Sequence, residues 1–136
     1  QDMLKRRSGK IMNVASTAAF QPGPTAAVYC ATKAFVLSFS EAVSNEVSDK
    51  GITITSLCPG PTETGFQAAA AMDESNLFKG KKLPSAKVVA EYGYSSMIKG
   101  KTVAIHGIMN TIMSNSSRFA PRALVLKIGR KMLDKA

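Results

Sequence analysis

Two short runs of apolar and β-branched residues, 10–16 and 52–58, flank a long stretch in which apolar residues recur at every third or fourth position. Gly, Pro or small residues bound the short runs, which is typical of buried strands. The spacing over 25–48 predicts a helix with one apolar stripe, made of Val28, Ala31, Phe35, Phe39, Ala42, Val43 and Val47. Strand, helix and strand in this order predict a βαβ unit with two parallel strands and a right-handed crossover.

The rest of the chain carries weaker periodic signals. Ser85 is a favourable N-cap residue for a predicted helix over 85–99, although Gly93 in its middle disfavours a helix. Residues 62–82 show no strong period, and we expect a mobile surface segment there. The further predicted elements are a helix end at 1–7, a third strand over 102–106, and two helices over 108–113 and 121–135 on either side of a polar hinge at 114–117.

Composition narrows the class of protein. The chain has 136 residues, of which 45% are hydrophobic and 20% charged. This apolar content argues against a disordered chain, and without a run of 18 apolar residues no membrane-spanning helix is predicted. Cys30 and Cys58 are too few for a disulfide scaffold or a four-ligand zinc site. We therefore expect reduced thiols, no metal site and a cytoplasmic location.

The formal net charge of +9 is unevenly distributed. Residues 11–78 hold two lysines against six acidic residues, whereas residues 118–136 hold six basic residues against one acidic residue. Basic excess attracts nucleic acid and anionic membranes. Because no sequence motif indicates recognition of nucleic-acid bases, we expect no nucleic-acid partner. Three interpretations of the basic tail remain open: a peripheral contact with a membrane, a solvated helix face, or a contact between copies in an oligomer.

Three features fall near the ends of the first two predicted strands. Ser16 closes the first strand and Pro59-Gly60 follows the second, while Tyr29 and Lys33 lie in the first turns of the helix between them. Tyr29 and Lys33 are four positions apart and share a helix face. Ligands of open α/β sheets bind outside the carboxyl ends of the strands. The sequence therefore predicts a functional site at this edge.

An ammonium beside a phenol changes the chemistry of the phenol. A free phenol loses its proton near pH ~10, and bringing this to ~7 needs roughly 4 kcal/mol of phenolate stabilisation. One unit charge about 4 Å away contributes on the order of 4 kcal/mol at an effective dielectric of ~20. Lys33 could therefore make Tyr29 an acid and base near neutral pH. Either residue alone is more often structural, so the combination carries the hypothesis.

Three linked segments, 13–16, 29–34 and 59–64, resemble the short-chain dehydrogenases/reductases. In order and spacing they are similar to that family's active-site serine, its Tyr-x-x-x-Lys motif and its Pro-Gly-x-x-x-Thr segment. The resemblance implies an NAD(P)-dependent oxidoreductase that interconverts a carbonyl and an alcohol by hydride transfer. The cofactor would be NAD or NADP, with NADP favoured.

The resemblance also implies a role for each matching residue. Ser16 would bind the substrate oxygen, and Tyr29 would be the general acid and base. Lys33 would bind the nicotinamide ribose and favour the phenolate of Tyr29. The residues implied to contact the cofactor are Tyr29, Lys33, Pro59, Gly60, Thr62 and Thr64.

The implied fold is α/β, a Rossmann-like doubly wound parallel sheet, of which this chain would hold only the second half, with three strands and flanking helices. The family's glycine-rich phosphate loop and its catalytic asparagine have no counterpart here. We therefore expect the carboxyl-terminal portion of a longer enzyme, with a partial catalytic domain over 1–117 and a basic helical tail over 118–136.

The implied substrate is a small carbonyl or alcohol. Four apolar side chains in the expected lid are consistent with an apolar substrate and equally with packing of the lid itself: Phe66, Met72, Leu77 and Phe78. At full length the enzyme would form a homo-oligomer. Two alternatives remain open. The 136 residues alone could be catalytically inactive, or the chain could act as a basic membrane-surface or oligomerisation module.

Overall fold

The computed structural model describes residues 1–65, 76, 80 and 82–134. Three parallel strands form one sheet in the order β1-β2-β3, with β1 at Gly9–Val14, β2 at Ile52–Cys58 and β3 at Val103–Ile105. Gly9 pairs with Ile52 at one end of the β1–β2 ladder. The α/β fold with parallel strands and flanking helices, predicted from the sequence, is confirmed.

Five helices formed by the described residues accompany the sheet. They are α1 at Asp2–Arg6, α2 at Ala27–Glu46, α3 at Ala86–Ile98, α4 at Ile108–Ser116 and α5 at Arg122–Leu133. Short 3-10 turns lie at Thr17–Phe20 and Ser48–Lys50. The predicted N-cap of α3 is confirmed, because the Ser85 hydroxyl accepts a hydrogen bond from the backbone N–H of Val88 at 3.4 Å.

The central strand β2 fixes how the helices pack. Cys58 joins Leu37 of α2 in one apolar cluster, whereas the neighbouring Leu57 faces Gly93 of α3. Successive strand residues point to opposite faces of a sheet, so α2 and α3 cover opposite faces. This is the two-sided layering that a parallel sheet requires.

The apolar stripe predicted on α2 does not form its buried face. Val28, Phe35 and Phe39 are exposed, and the two phenylalanine rings stack with centroids 5.9 Å apart. The buried face instead carries Cys30, Leu37 and Ser40. Ser40 is tolerated there because its hydroxyl donates to the Val36 carbonyl and accepts from the Asn13 amide. The helix therefore has two faces with apolar residues, and sequence periodicity alone does not show which of them is buried.

The predicted polar hinge at 114–117 is mostly helical, because α4 runs on to Ser116. Its polar side chains bond backbone carbonyls one turn earlier: Asn115 donates to Thr111 and Ser116 donates to Met113. Such bonds let short polar residues remain in a helix. Most of the predicted lid, including Phe66, Met72, Leu77 and Phe78, lies outside the described residues.

The tail helix α5 packs against the loop that precedes α2. Val125 and Gly129 are its buried residues, and a Cβ added at Gly129 would lie 3.2 Å from the Pro22 carbonyl oxygen. Basic side chains, including Arg130 and Lys131, lie in its last turn, where they complement the negative end of the helix dipole. Across the part of the chain that the structure describes, no helix is long and apolar enough to span a membrane.

Gly93 is the contact point between α3 and the sheet, which gives a stability prediction. A Cβ there would lie 2.6 Å from Cδ2 of Leu57 and 3.3 Å from Sδ of Met12. Overpacking costs about 1–3 kcal/mol, while Ala gains about 1 kcal/mol over Gly in helix propensity. We expect Gly93→Ala in the full-length protein to lower the urea unfolding midpoint. Ser95→Ala, at an exposed position of α3, is the control, and a raised midpoint for Gly93→Ala would contradict the packing argument.

Candidate active site

Ser16 connects the carboxyl ends of β1 and β2. Its hydroxyl accepts a hydrogen bond from the backbone N–H of Ala18 at 3.1 Å, which caps the 3-10 turn. The same hydroxyl donates to the Pro59 carbonyl at a longer 3.4 Å. The Thr17 N–H also donates to that carbonyl, at 2.9 Å. The side chain is 8% exposed, so Ser16 is held in place from both strand ends.

Lys33 and Tyr29 lie together in the first turns of α2. Lys33 Nζ is 5.8 Å from the centroid of the Tyr29 ring, and it donates to the Val14 carbonyl at 3.0 Å. Val14 ends β1, two residues before Ser16. The structure thus brings the predicted Ser16, Tyr29 and Lys33 to the same edge of the sheet. An ammonium has three N–H donors, and the bond to Val14 uses one of them.

The Pro59–Gly60 turn forms the other side of this edge. Thr62 donates its hydroxyl hydrogen to the Gly60 carbonyl at 2.9 Å, which tightens the turn. The backbone N–H of Glu63 then donates to the Pro84 carbonyl at 2.9 Å, so the chain after the turn is tied to the start of α3. Thr64, the last residue of the predicted cofactor set, is exposed.

Asn110 also lies at this site, although none of the three sequence motifs includes it. Its side-chain amide lies so close to Gly60 that a Cβ on that glycine would be 2.4 Å from Nδ2. The amide donates to the His106 carbonyl at 2.8 Å, at the end of β3. A signal was present, because an amide in the first turn of a helix that follows a parallel strand falls at the carboxyl edge of the sheet.

Both cysteines are buried and do not add a nucleophile. Burial raises the pKa of the Cys58 thiol above its ordinary 9.0; the Ser56 side-chain hydrogen bond opposes this, and the nearby Glu41 carboxylate adds to it. Burial likewise raises the pKa of Cys30, against a hydrogen bond with the Gly23 backbone. Because the thiolate is the reactive form, this burial disfavours reaction of both thiols near neutral pH.

The remaining candidates lie beside the site rather than in it. The His106 ring packs edge-on against Tyr92, with centroids 5.2 Å apart, which is a structural role. An apolar pocket of about 460 Å³, open to solvent, lies along the side of α2 that carries Cys30 and Ala34. Leu126 of α5 also lines it. Within the described ranges, no group of three or more His, Cys, Asp or Glu residues could hold a metal ion.

Sequence comparison decides the family. The family described as short chain dehydrogenase matches residues 1–75, more than half of the 136 residues. The chain belongs to the short-chain dehydrogenase family. The matched range contains Ser16, Tyr29, Lys33 and the Pro59–Gly60 turn, which are the residues that the structure gathers at the edge of the sheet.

Curated relatives of this short-chain dehydrogenase chain are similar over most of its length. Nodulation protein G of Rhizobium meliloti is 27% identical over 122 residues, which is 82% of this chain and 50% of the relative. The 3-oxoacyl-acyl-carrier-protein reductase FabG of Vibrio harveyi is 30% identical over 117 residues, 79% of this chain and 48% of the relative. The chain thus spans about half the length of these two relatives.

Solved structures share the fold. A short-chain dehydrogenase from Sphingobium yanoikuyae in complex with NADPH superposes with a TM-score of 0.72 at 23% identity. The alignment covers 90% of this chain and 47% of that one. A coverage of 90% exceeds the 75 residues that match the family, so the structural similarity extends beyond residue 75.

Proposed function

We propose that the protein is an NAD(P)-dependent oxidoreductase that interconverts a carbonyl and an alcohol. The observation that carries this proposal is the placement of a serine hydroxyl, a tyrosine and a lysine at one sheet edge. Ser16 is bonded to Pro59, and the Lys33 ammonium lies between the Val14 carbonyl and the Tyr29 ring. Family membership supports the reaction class.

The donor set at this edge suits the nicotinamide half of a dinucleotide. An ammonium, a phenol, two threonine hydroxyls and the backbone of a glycine can bond ribose hydroxyls and a carboxamide. The residues that would hold the cofactor are Tyr29, Lys33, Pro59, Gly60, Thr62 and Thr64. The NADPH bound by the Sphingobium dehydrogenase supports NADP over NAD. When bound, the nicotinamide would give hydride to a carbonyl carbon or take it from an alcohol carbon.

Ser16 would bind the oxygen of the substrate. Its single O–H hydrogen is directed at Pro59 across 3.4 Å, a long hydrogen bond that substrate could replace. The Pro59 carbonyl would not be left unpaired, because the Thr17 N–H donates to it at 2.9 Å. The Ser16 hydroxyl can therefore turn to a carbonyl oxygen at little cost.

Tyr29 would move the proton. In the reducing direction its O–H would donate to the carbonyl oxygen as hydride reaches the carbon, which leaves a phenolate and an alcohol. Lys33 stabilises that phenolate through its positive charge, and the reverse reaction uses the phenolate as base. The substrate would be a small carbonyl or alcohol, and an apolar one, as the 3-oxoacyl chemistry in the name of the Vibrio relative also favours.

The proposal is tested by Ser16→Ala in the full-length protein, assayed for NADPH-dependent reduction of a panel of apolar ketones. Removing one hydrogen-bond donor to a developing oxyanion costs about 10²-fold in kcat. We expect that loss with little change in NADPH affinity. Ser38→Ala, at an exposed position of α2, is the control. A wild-type protein that binds neither NADPH nor NADH would contradict the proposed function itself.

Four expectations from the sequence stay predictions: the domain division at residue 117, the homo-oligomer, the cytoplasmic location, and contact of the basic tail with a membrane. So does the inactivity of the 136 residues in isolation. A titration of the isolated chain with NADPH and NADH tests the last of these directly.

A further inference from the structure

The space above Gly60 is filled by the chain itself. A Cβ added at Gly60 would meet three atoms of the Asn110 side chain, Nδ2 at 2.4 Å, Cγ at 2.7 Å and Oδ1 at 2.8 Å. These are the three nearest heavy atoms. Real Cβ atoms are not found at such distances, so Gly60 and Asn110 can occupy these positions only because Gly60 lacks a side chain.

Asn110 is not free to give way. Its Nδ2 donates to the His106 carbonyl at 2.8 Å, which holds the amide against the end of β3. The next residue, Thr111, donates its hydroxyl hydrogen to the Gly107 carbonyl at 3.1 Å, which secures the first turn of α4. Moving the amide away from Gly60 would break a partly buried hydrogen bond.

The contact joins segments that are distant in sequence. Gly60 follows β2, His106 follows β3, and Asn110 lies in α4. The β2 and β3 strands pair through Cys58 and Ile105, immediately before these residues. Asn110 therefore bridges two adjacent strand ends, by a hydrogen bond at the end of β3 and by packing on Gly60 after β2. Ser16 bonds to Pro59 at the same edge.

We infer that Asn110 is a positioning residue that holds the Pro59–Gly60 turn in place for the nicotinamide end of the cofactor, and that Gly60 is required because Asn110 packs on it. The inference rests on the proposed function. It differs from the simpler explanation, in which the glycine only lets the cofactor approach the backbone. The two explanations predict opposite results when both residues are changed.

The test is a double-mutant cycle in the full-length protein with NADPH as the probe. Gly60→Ala, Asn110→Ala and the double variant are titrated by cofactor fluorescence at a temperature at which each is folded, and KM for NADPH and kcat are measured separately. Gly65→Ala is the matched control, because a Cβ at Gly65 meets no atom of the described residues within 4 Å.

We expect Gly60→Ala to weaken NADPH binding about tenfold through the clash. Asn110→Ala should weaken it about threefold, because the turn loses its support while all three clashing atoms are removed. The double variant should return to the level of Asn110→Ala, and Gly65→Ala should bind as the wild type does. If Gly60→Ala does not fold, recovery of folding in the double variant gives the same support.

A double variant that binds NADPH as weakly as Gly60→Ala, or more weakly, would overturn the assignment and leave cofactor approach as the reason for the glycine. Unchanged binding in Asn110→Ala would also overturn it. Either result is distinct from failure of the proposed function, in which the wild-type protein itself would not bind NADPH or NADH.

Discussion

Tyr29→Phe is expected to lower kcat for carbonyl reduction by up to about 10⁴-fold, the upper range for loss of a general acid and base. The substitution removes one oxygen and with it the proton that would go to the substrate. The ring that lies 5.8 Å from Lys33 Nζ is retained. Because Lys33 and the Pro59–Gly60 turn would still hold the cofactor, NADPH affinity should fall by no more than about tenfold, the effect of one lost hydrogen bond. Steady-state kinetics and a fluorescence titration of NADPH measure the two quantities separately.

Tyr94→Phe provides the control for this prediction. Tyr94 lies on α3, is 60% exposed, and is not among the residues proposed for catalysis or cofactor binding. It should keep wild-type kcat and KM. Near-normal turnover by Tyr29→Phe would remove the proposed proton donor, whereas a large loss of NADPH affinity with normal kcat would move Tyr29 from proton transfer to cofactor binding.

The strand–helix–strand unit could be predicted because local signals and packing agree there. Gly51 and Pro59 bound an apolar, β-branched run that the structure places at β2, the central strand, with the predicted bounds of 52–58. Ser16 and Pro59 could be placed together for the same reason, since parallel neighbours end at one edge. Their hydrogen bond confirms that placement, while the chemical roles of the two residues remain proposals.

The parts that the sequence did not predict depend on contacts between distant segments. Both faces of α2 are apolar, so only packing against β2 selects Leu37 over Phe35 for the core. Asn110 reaches Gly60 only because α4 starts where β3 ends and β3 pairs with β2. Its position after β3 indicates the carboxyl edge of the sheet, but not that the side chain contacts Gly60.

For Lys33, the sequence predicted the approach to the Tyr29 side chain but not the hydrogen bond to the Val14 carbonyl. The four-residue spacing predicts the approach to Tyr29, and the structure shows it. The bond to the Val14 carbonyl depends on how α2 crosses the end of β1. That bond holds the ammonium at the end of β1, beside the Tyr29 ring.

Lys33→Met in the full-length protein is expected to lower kcat/KM for NADPH-dependent reduction by about 10³-fold. Removing the positive charge that lies 5.8 Å from the Tyr29 ring centroid takes away stabilisation of the phenolate that forms as the proton leaves, and we expect this to lower kcat by about 10²-fold, the lower range for general acid and base catalysis. Loss of a charged donor to the ribose should raise KM for NADPH by about another tenfold. Met keeps an unbranched apolar stem and ends where lysine carries its ammonium group, so packing along α2 is retained.

Lys50→Met is the matched control for Lys33→Met, because Lys50 also donates to a backbone carbonyl, that of Glu46 at 2.9 Å, but lies at the other end of α2. It should leave both kinetic constants unchanged. Lys33→Arg keeps the positive charge but cannot place a compact ammonium between Val14 and the phenol, so it should recover only part of the loss. Wild-type kcat in Lys33→Met would show that the charge does not act on Tyr29, and the bond to Val14 would then be a structural contact alone.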